Sequence, residues 1–181
     1  LNPSSAASDV YKRQGFCIHA AVDARKTPIL SPEKWAKFFR NAKSLMHLTI
    51  TGGEPFLRKD FFEIIDKILT KNDIPQVSIN SNGFYIDRIK DFMPRLVEKH
   101  KNTEFTLSIS LDGPQEVHDK VRVFEGAYKR AIETIDSMNY LRARSNFYLK
   151  LASVLTKDNN YFMEDFLDNT SKWNIDFHEI I

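Results

Sequence analysis

Leu45–Asn72 reads LMHLTITGGEPFLRKDFFEIIDKILTKN, and its change of period decides the fold. The first part, LMHLTIT (Leu45–Thr51), is a short apolar and β-branched run that ends in Gly-Gly, the pattern of a strand entering a tight turn. The second part has Phe61, Ile64, Ile65, Ile68 and Leu69 on one helical stripe. Asp60 stands in the N-cap position with Glu63 three residues on, a capping-box arrangement. One strand, one glycine turn and one helix thus make a βα unit.

The same unit recurs along the chain. Gln76–Gly83 (QVSINSNG), Glu104–Gly113 (EFTLSISLDG), Asn146–Thr156 (NFYLKLASVLT) and Asn174–Ile181 (NIDFHEII) are further short runs bounded by turn residues. Helical patterns lie between and before them. SPEKWAKFFRNAK opens with Ser31 as N-cap and Pro32 at the first helical position. FYIDRIKDFMPRLVEKH carries Pro94, expected to kink or split it. GAYKRAIETIDSMNYLRAR places Ala131, Ile132, Ile135 and Met138 on one face, and NYFMEDFLDNTSKW is the last helical segment. Strict alternation predicts an α/β fold of parallel strands, as a barrel or an open doubly wound sheet.

Composition limits the function classes. The 181 residues are 42% hydrophobic and 28% charged, which is ordinary for a globular domain. A net charge of +2 gives no case for a nucleic-acid or membrane-surface partner. No apolar run approaches the roughly 18–20 residues of a membrane span. A single cysteine excludes an internal disulfide and fits a reducing, cytoplasmic setting.

In parallel α/β folds, chemistry collects where strands end. Three successive strands here end in TGGEP, NSNG and SLDGP. Gly52 and Gly53 let a ligand approach the backbone, Glu54 can accept hydrogen bonds from an ammonium group, and Pro55 fixes the exit of the turn. Each motif alone would pass for a turn; three at successive strand ends form a constellation.

LTITGGEPFLRKDFFEII, SINSNG and LSISLDGPQEVHDKVRVFEGAYKRAIETI together resemble radical S-adenosylmethionine (SAM) enzymes, in particular the peptide-maturase and sulfatase-maturase branch. The resemblance runs from about Gly15 to Ile181. It implies a partial (β/α)6 TIM-like barrel. It also implies that Gly52, Gly53 and Glu54 hold the amino group of SAM, and that Asn82, with Ser81 beside it, lies near the ribose. By the same resemblance Ser110 contacts SAM, Asp112 shapes the turn and the substrate side, and Arg122 pairs with the SAM carboxylate. A guanidinium suits that last role as a planar, permanently charged, two-point partner; outside the motif Arg122 would read as an ordinary surface arginine.

The family signature is C-x3-C-x2-C, whose three thiolates hold a [4Fe–4S] cluster. Cys17 is the only thiol. In one placement CIHA is the C-x2-C pair, with Ala20 in place of the last cysteine. In the other GFC closes the motif, so Cys17 is the third ligand and Phe16 the aromatic near the adenine. The second is preferred because it needs no ligand substitution. A buried inert cysteine is the remaining reading. Ser4–Gln14, SSAASDVYKRQ, resembles the in-frame translation of a transposase sequencing adaptor. Residues 1–14 are therefore expected to be a disordered artefact and 15–181 an incomplete radical SAM core.

The resemblance implies reductive cleavage of SAM by the cluster, then hydrogen abstraction from a peptide or small-molecule substrate, with a flavodoxin or ferredoxin as electron donor. With one of three cysteines, the chain as written is expected to be inactive. A cluster-less α/β binding or scaffold protein is the alternative. A doubly wound nucleotide-binding enzyme is disfavoured by the lack of G-x-G-x-x-G and of a phosphate-cradling loop. His19, His47, His118 and His178 show no metal-ligand spacing, so solvent-facing or strand-end roles are expected.

Overall fold

The computed structural model describes residues 30–40 and 44–181. The expectations for residues 1–14, Phe16, Cys17 and His19 lie outside the described residues. Helix α1 (Pro32–Arg40) precedes β1 (His47–Ile50), α2 (Phe61–Lys71), β2 (Gln76–Ser81), α3 (Ile86–Lys99) and β3 (Glu104–Ser110). Two helices follow, α4 (Gln115–Arg122) and α5 (Ala127–Met138), then β4 (Phe147–Ser153), α6 (Met163–Thr170) and β5 (Phe177–Ile180).

The five strands among the described residues are all parallel and lie in the order β1-β2-β3-β4-β5. A doubly wound sheet reverses its strand order at a switch point. This one never reverses, so each helix crosses over on the same face, as in a barrel wall. The register pairs Ile50 with Ile79, Ile79 with Leu107 and Leu107 with Leu149. That row belongs to the apolar face, where Val77, Phe105, Ile109, Phe147 and Leu151 are also buried. Ile64, Ile68, Ile89, Met93, Leu96, Ala131, Ile135, Met138 and Phe166 from the helices complete the core.

The opposite face is polar. Thr49, Ser78, Thr106 and Tyr148 share one row across it, and Asn80, Ser108 and Lys150 share the next. Lys150 Nζ pairs there with Glu179 at 2.7 Å. Parallel strands covered by helices on both faces read as continuous apolar runs. The alternation here is the mark of a wall with helices outside and a polar lumen within.

Local signals behave unevenly. Ser31 accepts the Lys34 amide at 3.4 Å, as its N-cap position predicts. Asp60 does not form the expected capping box: its carboxylate makes no cap hydrogen bond. Arg58 takes it instead, at 2.6 and 2.9 Å, and a charged, bidentate guanidinium outcompetes a neutral amide. Pro94 does not split its helix, which runs unbroken over Ile86–Lys99. Buried Met93, Leu96 and Val97 hold the segment on the core around the missing amide donor. Among the described residues no helix is long and apolar enough to cross a membrane.

Candidate functional site

Because the strands are parallel, their C-terminal ends share one edge. That edge gathers Gly52–Pro55 after β1, Ser81–Gly83 at β2, Ser110–Gly113 at β3 and Val154–Asn159 after β4. The sequence-selected residues Gly52, Gly53, Glu54, Pro55, Ser81, Asn82, Ser110 and Asp112 therefore lie on neighbouring strand ends, and α4 brings Arg122 back to them.

The loop after β1 is held from below. Phe56 is fully buried and packs edge-on against Phe61, with ring centroids 5.2 Å apart. Arg88 of α3 donates to the carbonyls of Phe56 and Leu57 at 2.7 and 2.6 Å. Above this anchor Gly52 adopts φ +125°, which only glycine takes readily. Among the described residues, no atom lies within 4 Å of where a Cβ at Gly52 or Gly53 would stand.

Glu54 turns inward. It accepts the Phe56 amide at 3.2 Å and the Ser81 hydroxyl at 2.9 Å on Oε1, and the Asn82 amide at 2.8 Å on Oε2. One carboxylate thus ties the end of β1 to the end of β2. Asn82 in turn accepts the Phe84 amide at 2.9 Å. Burial outweighs these three donors and pushes the Glu54 carboxyl up to about 7. The charge of Arg122 pulls the other way, which places that guanidinium within electrostatic reach of the Gly-Gly-Glu loop.

This shift sets a pH dependence. The folded value lies above the ordinary 4.5, so the stability it contributes is complete below pH 4.5 and is lost as pH rises through about 7. The gap corresponds to about 3 kcal/mol. Glu54→Gln cannot ionise and is expected to flatten this slope in urea unfolding between pH 5 and 8. An unchanged slope would assign the pH dependence to another group.

The second inward carboxylate is Asp112, which is fully buried. Its Oδ2 accepts Arg122 Nε at 2.7 Å and a terminal guanidinium nitrogen at 2.6 Å. Its Oδ1 accepts the Val154 amide at 3.0 Å, and its own carbonyl accepts Asn159 Nδ2 at 2.8 Å. Asp112 therefore ties the end of β3 to the end of β4, as Glu54 ties β1 to β2. Arg122 is only 7% exposed, so it is no surface arginine. Ser110, just before, is half-buried on the polar face.

His118 lies one helical turn before Arg122 and is buried, not solvent-facing. Its Nδ1 accepts the Asp112 amide at 2.9 Å. Burial first, and Arg122 second, hold its pKa well below the usual histidine value. The ring is neutral, so its 3.7 Å approach to the Asp112 carboxylate is no ion pair. After Arg122 the chain reverses at Val123, a β-branched residue at φ +53°. Asp119 fixes this reversal by accepting the Gly126 and Tyr128 amides at 2.8 and 2.7 Å. Sequence reasoning missed α4, His118 and Asn159. The i,i+4 spacing of His118 and Arg122 in HDKVR was the available signal for the first two.

A cavity of about 380 Å³ wraps the edge of β1, lined by Trp35, Phe39, Ile50, Gly53, Glu54 and Ile64 among others. Its apolar wall suits packing better than a charged ligand. Among the described residues no group of three or more His, Cys, Asp or Glu could hold a metal ion.

Comparisons with known proteins agree with this geometry. The chain is 26% identical over 137 residues to a GTP 3′,8-cyclase of Synechocystis sp., covering 75% of this chain and 38% of that protein. It is 29% identical over 112 residues to the sporulation killing factor maturation protein SkfB of Bacillus subtilis, covering 61% of this chain and 26% of that protein. It is 30% identical over 118 residues to a cysteine-type anaerobic sulfatase-maturating enzyme of Clostridium novyi, covering 60% and 29%. The chain thus spans well under half the length of these curated relatives. Among solved structures, a hexahistidine-tagged anSMEcpe with bound AdoMet shares the fold with a TM-score of 0.66 and 17% identity, covering 84% of this chain and 43% of that one. The Radical SAM superfamily matches residues 15–148, and on that match the chain belongs to the radical SAM superfamily.

Proposed function

We propose that this chain is the SAM-holding part of a radical SAM enzyme. The observation that carries the reading is the meeting, on one sheet edge, of a Gly-Gly turn, a buried carboxylate and a buried guanidinium. SAM ends in an ammonium and a carboxylate, so it needs groups of both kinds within one short reach. Gly52, Gly53, Glu54 and Pro55 take the amino end, Arg122 the carboxylate, Ser81 and Asn82 the ribose side, and Ser110 is a further polar contact to SAM. These residues supply both charges that the amino-acid end of SAM needs.

The [4Fe–4S] cluster is a different case. The superfamily's cluster supplies the electron that cleaves SAM, and it takes three thiolates. The full sequence holds one cysteine, Cys17, so these residues make only part of that donor set. Two of the relatives are named as maturation enzymes, which supports a peptide or protein substrate. The cyclase relative keeps a small-molecule substrate in view. The electron donor is a flavodoxin- or ferredoxin-type protein, and the setting is cytoplasmic.

Calorimetric titration with SAM and with 5′-methylthioadenosine tests the reading. The second ligand keeps the adenosine and lacks the ammonium and carboxylate. SAM is expected to bind at least about tenfold more tightly, the effect of one charge-assisted hydrogen-bond set. Equal binding of the two, or no saturable SAM binding, would sink the proposal.

A further inference from the structure

We infer that Asp112 is a positioning residue for Arg122, and that it sets how strongly the site recognises the carboxylate of SAM. This rests on the SAM reading above and adds a residue whose side chain does not touch the ligand. Resemblance placed Asp112 among the cofactor-binding and substrate-side groups. Its burial removes it from direct contact, because it exposes no surface to a ligand.

A guanidinium recognises a carboxylate through two parallel N–H donors, so its plane must be fixed before the ligand arrives. Asp112 Oδ2 takes Nε and one terminal nitrogen of Arg122, which defines that plane. The carboxylate is itself immobile. Val154 holds Oδ1, and the Asp112 backbone is pinned by His118 on its amide and by Asn159 on its carbonyl. Asn159 is fully buried and also reaches the Val154 carbonyl at 2.7 Å, so the clamp is anchored in the turn after β4. His118 stays neutral and acts as an acceptor, so the charge that meets the guanidinium within this clamp is that of Asp112. The guanidinium is held by a strand that ends beside its target and not by its own flexible stem.

The test compares two affinities in one protein. Asp112→Asn is expected to lower SAM affinity about tenfold and leave 5′-methylthioadenosine binding within about twofold. A purely architectural role would weaken both ligands together. In an Arg122→Gln background, Asp112→Asn should no longer change the ratio of the two affinities, because its effect runs through the guanidinium. If Asp112→Asn does not fold, Asp112→Glu carries the test, since it keeps the charge but displaces the carboxylate by one methylene. Parallel loss of both ligands, or an unchanged ratio, overturns the positioning role. A wild-type chain that binds both ligands equally overturns the SAM reading first, and that outcome is visible before any variant is made.

Discussion

Asp112→Ala is expected to remove about 3–5 kcal/mol of stability, a large fraction of the roughly 5–15 kcal/mol typical of a folded domain. The loss does not come from the attraction alone. Truncation takes the carboxylate away from a guanidinium at 7% exposure and leaves the Val154 amide without its acceptor, while β3 and β4 lose the carboxylate that ties their ends. A lost partner costs more than a pair never made. The double replacement Asp112→Leu with Arg122→Met should therefore recover a large part of the deficit, since apolar residues of similar volume remove both charges at once. Urea unfolding of the single and double variants beside the unmodified chain separates these contributions. A loss below about 1 kcal/mol in Asp112→Ala would show that another group carries the Arg122 charge.

Gly83→Ala is expected to cost about 2–4 kcal/mol, the second largest effect. Gly83 has φ +74°, so any side chain pays the left-handed penalty of about 1–2 kcal/mol. Its Cβ would also lie 3.0 Å from the Ala131 Cα and 3.4 Å from Ile109 Cγ2. The first neighbour is backbone of α5 and cannot rotate away. Thr134 holds α5 against this turn by donating to the Gly83 carbonyl at 2.7 Å, so the helix is not free to retreat. Gly126→Ala is the control: φ is +86° there, but the new Cβ meets nothing within 4 Å. The difference between the two midpoints measures the helix–turn contact itself. Equal losses would reduce the Gly83 effect to backbone conformation.

Strand and helix order was legible because a period of two and a period near four leave different marks. The runs around Thr49, Ser78, Ser108 and Lys150 alternate cleanly, as one-sided burial requires. The strand-end motifs were legible because glycines and small polar residues cluster there. The direction of the carboxylates was not legible. Glu54 finds Ser81 and Asn82, and Asp112 finds Val154 and Asn159, all far along the chain and brought near only by strand pairing. Asp60 and His118 fail for a different reason, since their partners are local but several local partners compete. Arg58, two residues before Asp60, takes the carboxylate that could have capped the helix, and His118 turns back to the Asp112 amide six residues earlier. Helix α4 is short and its apolar stripe thin, so periodicity gave it no voice.

The strand order β1-β2-β3-β4-β5 has a consequence for how the chain is made. Among the described residues, each of β2 to β5 pairs with the strand that precedes it in the chain, so its partner is already made when it emerges. The order permits the sheet to grow by one βα unit at a time. Such vectorial growth keeps contacts local and folding quick for a parallel sheet. The Glu54 tie needs only residues up to Asn82, whereas the Asp112 tie needs the turn after β4 as well.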